Sequence, residues 1–157
     1  MLKTINITII FLFYLSNAAS AQFIAREHTV KDLNYGTTWL RCSVGQFWEP
    51  ATGTCAGDIV KLDHDQIAYA ISEAKRQLGT DWRLPTHAEL KSLVCEECSP
   101  PKINSKYFPN VSPEAYWTSD KNKMNRKNFW SVNFMTGHSY SRFFSYQSLP
   151  VLLVQAD

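Results

Sequence analysis

The chain has 157 residues, of which 45% are hydrophobic and 13% aromatic, and its formal net charge is +2. A balance this close to neutral excludes bulk electrostatic attraction to nucleic acid or to a membrane surface, so any polyanion binding requires a local cluster of positive side chains. The four cysteines are an even set, which predicts disulfide bonds if the protein is exported.

The first 21 residues have the pattern of an export signal. Lys3 supplies a positive start, an apolar run from Ile5 to Leu15 follows, and Ala19-Ser20-Ala21 is a small-residue cleavage site. The apolar run is short for a membrane span, and the cleavage site disfavours the alternative of an uncleaved anchor. We therefore expect cleavage after Ala21, no membrane span thereafter, one domain over residues 22–157, and a secreted or periplasmic location.

The first part of the predicted mature chain contains few regular signals. Residues 22–30 show no clear period and are predicted to be irregular, whereas residues 32–42 have the pattern of a turn and then a strand with Trp39 on its inner face. A segment rich in turn residues separates Cys42 from Cys55. The two cysteines are expected to meet across a hairpin, where a disulfide contributes about 3 kcal/mol in the chain-entropy model.

Residues 63–79 carry the signals of a complete amphipathic helix. Asp63 and Gln66 form a capping box, and Gly79 stands where a left-handed C-cap belongs. Apolar residues recur at helical spacing, namely Ile67, Ala70, Ile71, Ala74 and Leu78. We expect a helix near residues 64–78 that buries this stripe against a sheet or a second helix.

A second helix is predicted near residues 87–95. Thr86 and Glu89 form its capping box, and its apolar stripe consists of Leu90, Leu93 and Val94. Cys95 and Cys98 follow at its C-terminal end. Three pairings of the four cysteines are possible, and we expect the disulfides 42–55 and 95–98.

The remainder of the chain has the pattern of a strand-rich region. Two prolines after Cys98 predict a loop, and apolar and aromatic runs predict strands at residues 116–119, 129–134, 139–146 and 151–154. The large rings of Trp39, Trp82, Trp117 and Trp130 are expected to lie mainly in the core.

The segment Trp82-Arg83-Leu84-Pro85-Thr86, followed by Glu89-Leu90, resembles the central motif of the Lcl C-terminal domain family. The segments 39–46 and 129–132 resemble the same pattern, so the resemblance covers most of the chain after the leader. A shorter Arg-Leu-Pro-Thr-x-x-Glu also occurs in the formylglycine-generating enzyme family. The resemblance implies an α+β, C-type-lectin-like fold, in which two helices pack on a curled, mostly antiparallel sheet stapled by disulfides.

Signals for catalysis, metal binding or a cofactor are weak. The thiols of Cys95-Glu-Glu-Cys98 fall at a helix C-terminus, where the helix dipole disfavours the reactive thiolate. The histidines stand far apart without metal-ligand spacing, namely His28, His64, His87 and His138. We predict no catalytic residue, no metal site and no cofactor. The alternative functions are a periplasmic thiol-disulfide or oxidase-type enzyme and a structural component of an envelope or pilus assembly.

A dense run of positive side chains is the strongest candidate for a binding site. It consists of Lys121, Lys123, Arg126 and Lys127, and we expect His138 and Arg142 to join it. Positive charge beside aromatic rings suits sulfated or acidic polysaccharides. The alternative is that the run is simply a solvated loop between two strands. The namesake of the Lcl family is an adhesin end associated with glycosaminoglycan binding. We therefore predict an exported, non-catalytic binding or adhesion module for glycans or polyanions, with a cell-envelope protein as a further partner and no nucleic acid.

Overall fold

The computed structural model of the chain describes residues 22–156. The predicted export signal and its cleavage site lie outside these residues. The described part is α+β, with helices α1 (His64–Leu78) and α2 (His87–Ser92). The strands are β1 (Phe23–Arg26), β2 (Thr29–Asp32), β3 (Thr38–Leu40), β4 (Phe47–Glu49), β5 (Thr54–Ala56), β6 (Trp82–Arg83), β7 (Ala115–Lys121), β8 (Asn128–Asn133), β9 (Ser139–Phe144) and β10 (Val154–Gln155).

All strand pairs of the described chain are antiparallel, and they form three sheets. The largest has the order β1-β2-β3-β10-β6, the second is the meander β7-β8-β9, and the third is the hairpin β4-β5. Val154 pairs with Trp39 on one side and with Arg83 on the other. The last strand therefore joins the first third of the chain to the segment that precedes α2.

Residues 22–30 are not irregular, and that prediction was wrong. β1 and β2 form a hairpin in register from Phe23↔Asp32 to Arg26↔Thr29. The turn contains Glu27 with φ 47°, a conformation uncommon outside glycine. Phe23 and Val30 are buried in the core, so tertiary packing stabilises strands that show no local periodicity.

The predicted closing strand at residues 151–154 is regular only at its end. Residues 149–154 are all buried, yet only Val154 belongs to a strand. The oxygens of Val151 and Leu153 accept the N–H groups of Val44 and Leu40, each at 2.9 Å. The segment is buried, and its backbone oxygens bond to separate segments of the chain instead of to one neighbouring strand.

Both helices begin as predicted. Each capping box is formed in full, and α1 ends at Gly79 with φ 72°, the left-handed cap that glycine favours. α2 ends three residues earlier than predicted, at Ser92 rather than 95. The chain leaves the helix there because Val94 forms a bridge with Ile103.

Both predicted disulfides are confirmed. Cys42 is bonded to Cys55 and Cys95 to Cys98. The first bond ties the segment after β3 to strand β5, and both of its cysteines are buried. It therefore fixes the β4-β5 hairpin against the main body of the domain.

Three of the four tryptophans lie in the core as predicted. Trp39 and Trp117 are fully buried, and Trp82 is 5% exposed. Trp130 is only partly buried, and this corrects the prediction. Its ring stacks on His87 with centroids 4.7 Å apart, so it covers the start of α2 at the edge of the core.

The motif at residues 82–89 connects β6 to α2. The Arg83 guanidinium donates to both carboxylate oxygens of Glu89, each at 2.8 Å, and the same carboxylate accepts the Thr86 N–H at 2.7 Å. The Arg83 hydrogen bond is the largest cause that lowers the pKa of Glu89. Pro85 extends the connection to β7, because its oxygen accepts the Ser119 N–H at 2.8 Å. The motif therefore has a structural role: it fixes the connection between β6 and α2, which we call the 82–89 corner.

Loss of the longer disulfide loop is expected to destabilise the fold more than loss of the shorter one. Cys42→Ser should lower the free energy of unfolding by about 3 kcal/mol, because the unfolded chain regains the entropy of an open loop. Cys95→Ser should cost less, since Cys95 and Cys98 are only three positions apart in the sequence. Urea titrations of both variants measure the difference, and equal losses would contradict the entropic explanation.

Substitutions at the 82–89 corner are expected to differ in cost. Thr86→Ala removes the helix cap and should lower the free energy of unfolding by about 1 kcal/mol. Trp82→Ala should lower it by about 3 kcal/mol or more, because it empties a buried site. Thermal and urea unfolding test both values. An unchanged unfolding midpoint for Trp82→Ala would mean that the ring does not stabilise the core.

Candidate functional site

The four positive side chains of the run lie in and beside the loop that joins β7 to β8. Lys121 is the last residue of β7, and Lys123, Arg126 and Lys127 lie in the loop. All four are exposed. Two asparagines shape the loop, since the side-chain oxygens of Asn122 and Asn125 accept the N–H groups of Met124 and Lys127 at 2.9 and 3.3 Å. We call residues 121–127 the basic loop.

The charges of the basic loop are not neutralised by acidic side chains. Within residues 22–156, none of its four cations lies within ion-pair distance of a carboxylate. The Lys121 ammonium instead lies 5.3 Å from the centre of the Phe129 ring. Such a loop has a positive surface potential that an anionic ligand can neutralise.

Arg142 lies close to the basic loop. Asn128 pairs with Phe144, so the end of β9 adjoins the point where the loop enters β8. The guanidinium of Arg142 lies 4.7 Å from the centre of the Tyr140 ring. The Asn122 amide links loop and strand, because it donates to the Ser141 oxygen at 3.2 Å.

His138 lies apart from the basic loop. The loop precedes β8, whereas His138 follows it in the turn before β9. The six residues of β8 span about 20 Å at the usual rise of a strand. The structure therefore brings Arg142 to the loop and leaves His138 at the opposite end of the meander.

A histidine–serine contact also lies beside the meander. Nε2 of His87 is 2.6 Å from Oγ of Ser139, and burial lowers the pKa of His87. The nearby Asp120 carboxylate accepts the His87 backbone N–H at 2.8 Å, so this bond does not orient the ring. A catalytic triad requires the acid to hold the second ring nitrogen. The contact therefore attaches α2 to β9.

The histidine at the start of α1 is packed among aromatic rings. The His64 ring lies 3.8 Å from the centre of Phe129 and 4.7 Å from that of Trp117. Its Nε2 is buried without a hydrogen-bond partner in the described structure. Burial lowers the pKa of His64, and the charge of Lys121 acts in the same direction.

A groove of about 960 Å³ lies beside α1. One wall is α1 and the other is the segment 42–48, which ends in the stapled hairpin. Gly45 lines the groove with φ 96°, and a Cβ there would lie 2.5 Å from the Asp58 oxygen. Glycine is therefore required where the 58–60 segment passes under the groove wall.

The α1 stripe packs against the core as predicted except at its C-terminal end, which the groove leaves uncovered. Ile67 is buried and Ala70, Ile71 and Ala74 pack half-buried against the core, whereas Leu78 is 38% exposed. Tyr69 is 70% exposed on the same helix, and Phe47 on the facing hairpin is 60% exposed. Neither Tyr69 nor Phe47 belongs to a pattern that was singled out in the sequence, so the groove was not predicted.

Both cysteine pairs form disulfides, and no cysteine is free. Among residues 22–156, no group of three histidine, cysteine or acidic side chains is arranged to hold a metal ion. Cys95 and Cys98 lie after the end of α2, as predicted. Disulfides of this kind fit an extracellular or periplasmic protein.

Stability is expected to fall as the pH is lowered from 7.5 to 5.5. The pKa of His64 is lowered in the folded protein, whereas an unfolded histidine titrates near about 6.5. The unfolded state therefore binds more protons as the pH falls through this range, which favours unfolding. Urea midpoints at both pH values should differ less in His64→Gln than in the wild type. His138→Gln, at an exposed site, is the control, and an equal reduction in both variants would contradict the assignment.

Comparison with known proteins shows which family the chain belongs to. No helix within residues 22–156 is long and apolar enough to cross a membrane. No curated protein and no solved structure matches the chain. The family model of the Lcl C-terminal domain matches residues 28–155, which include both helices, both disulfides and the basic loop. The chain belongs to the Lcl C-terminal domain family.

Proposed function

We propose that this protein is an exported, non-catalytic binding module whose basic loop binds sulfated or acidic polysaccharides. The observation that carries the proposal is the set of four exposed cations without a carboxylate partner among the described residues. Uncompensated charge on a loop held by two strands gives a preformed site. Binding therefore costs little ordering of the backbone.

Aromatic rings support a polysaccharide as the polyanion. Lys121 and Arg142 each lie beside an aromatic ring, at 5.3 Å from Phe129 and 4.7 Å from Tyr140. Phe129 is buried, so its ring only positions the Lys121 ammonium. The partly exposed Tyr140 ring offers a ligand an apolar face beside the Arg142 charge. Membership of a family whose namesake is an adhesin end associated with glycosaminoglycans supports the same ligand class.

We also propose that the fold is C-type-lectin-like. The supporting feature is the position of β10 between β3 and β6, which joins the two ends of the domain in one sheet. The two helices and the separate meander agree with that arrangement. Superposition of an experimental structure on C-type lectin domains tests this assignment.

Reversal of charge on the basic loop is expected to weaken binding to a heparin resin. The variant Lys123→Glu/Arg126→Glu should elute at a clearly lower salt concentration than the wild type, because the loop then carries nearly balanced charge. Retention of the wild type should itself decrease with salt, since exposed charges are screened over about 8 Å at physiological ionic strength. Stability should change little, because solvated charges contribute little to the fold.

The matched control is Arg26→Glu/Lys31→Glu. These two residues are exposed in the β1-β2 hairpin and have no carboxylate partner in residues 22–156, so the change in net charge is identical. Lys75 and Arg76 are less suitable, because they pair with Asp81 and Glu73. Equal losses from both double variants, or no retention of the wild type at low salt, would disprove a specific site.

A further inference from the structure

The groove beside α1 has an apolar floor and acidic edges. Leu40, Val44, Val60 and Leu153 line it. Its charged lining residues are Asp65 and Glu73, and neither lysine nor arginine lines it. Phe47 and Tyr69 stand largely exposed at its walls. A groove of this kind fits an apolar side chain that is flanked by positive charges.

The negative character of the groove is concentrated at the N-terminal half of α1. Asp65, in the first turn, has no ion-pair partner among the described residues. Glu73 is already paired with Arg76, and Lys75 lies in the last turn of the helix. A positively charged occupant is therefore attracted towards Asp65 and Tyr69.

The same molecule carries a segment with the complementary chemistry. The Met124 side chain in the basic loop is 98% exposed, and Lys123, Arg126 and Lys127 surround it in sequence. An unbranched thioether side chain adapts readily to an irregular apolar surface. The loop thus presents one apolar side chain with cations on both sides.

We propose that the groove binds the basic loop of a second copy of this chain. Met124 of one copy enters the apolar groove of the next between Phe47 and Tyr69, and Lys123 or Arg126 approaches Asp65. The apolar side chain contributes burial, and the opposite charges orient the loop. This inference goes beyond polysaccharide binding, and it requires the groove, which that function does not use.

The predicted contact is heterologous, because it joins two different surfaces. Such contacts form rings or open chains rather than closed pairs. A single loop in a groove is smaller than a standard interface of about 1,600 Å². We therefore expect association that is reversible, dependent on concentration and weakened by salt.

Sedimentation velocity of the purified, disulfide-bonded protein tests the proposal. The wild type should associate as its concentration is raised in low salt. Met124→Glu and Tyr69→Glu should each weaken association at least about tenfold, since each places a charge in the apolar contact. Both positions are exposed, so the fold should tolerate the changes. Met135→Glu is the matched control, because Met135 is an exposed methionine in the turn between β8 and β9.

Mixing the two defective variants gives the decisive measurement. Met124→Glu retains an intact groove and Tyr69→Glu retains an intact loop, so an equimolar mixture should form one-to-one dimers that cannot extend. Each variant alone should associate more weakly than the mixture. The Tyr69→Glu variant should still bind heparin resin like the wild type, which separates this proposal from the polysaccharide site.

Three results would overturn the inference. The first is a wild type that stays monomeric at every concentration in low salt. The second is loss of association in Met135→Glu equal to that in Met124→Glu, which would show that the loop is not the specific contact. The third is a mixture of the two variants that forms no dimers, which would show that loop and groove do not bind each other.

Discussion

The fold depends on the buried segment at residues 149–154. Its backbone oxygens at Leu149, Pro150, Val151 and Leu153 accept the N–H groups of Leu62, Trp117, Val44 and Leu40, respectively. The segment thereby contacts β3, β7 and the residues on either side of the β4-β5 hairpin. Buried backbone groups must be paired, so each of these elements has one position relative to the segment. The meander that carries the basic loop and the wall that shapes the groove are both held in this way.

Local signals predicted much of this fold because they act over a few residues. The capping boxes and Gly79 define helix starts and ends through short-range hydrogen bonds, and both disulfides join cysteines near in sequence. β1 and the irregular course of residues 149–153 escaped prediction for the opposite reason. Phe23 is buried only because distant residues such as Tyr107 and Phe108 cover it.

The candidate site also combines features that local sequence reveals with features that depend on distant contacts. The four cations of the basic loop were evident from sequence, because they are adjacent in the chain. Whether other residues join them depends on strand register, which places Arg142 near the loop and His138 at the far end of β8. The groove was not predicted, because its two walls are separated in sequence. Its width depends on how the β4-β5 hairpin is positioned relative to α1.

The family motif and the proposed binding surfaces are different parts of the molecule. Arg83, Thr86 and Glu89 are joined by hydrogen bonds, so the motif fixes the connection between β6 and α2. The basic loop is then required by both proposals, since a polyanion and the groove of a second copy need the same cations. If both proposals hold, the two occupants exclude each other, and a polyanion at sufficient concentration should dissociate the assembled chains. Under both proposals the loop would be available either to a polysaccharide surface or to another copy, and the local polyanion concentration would determine which.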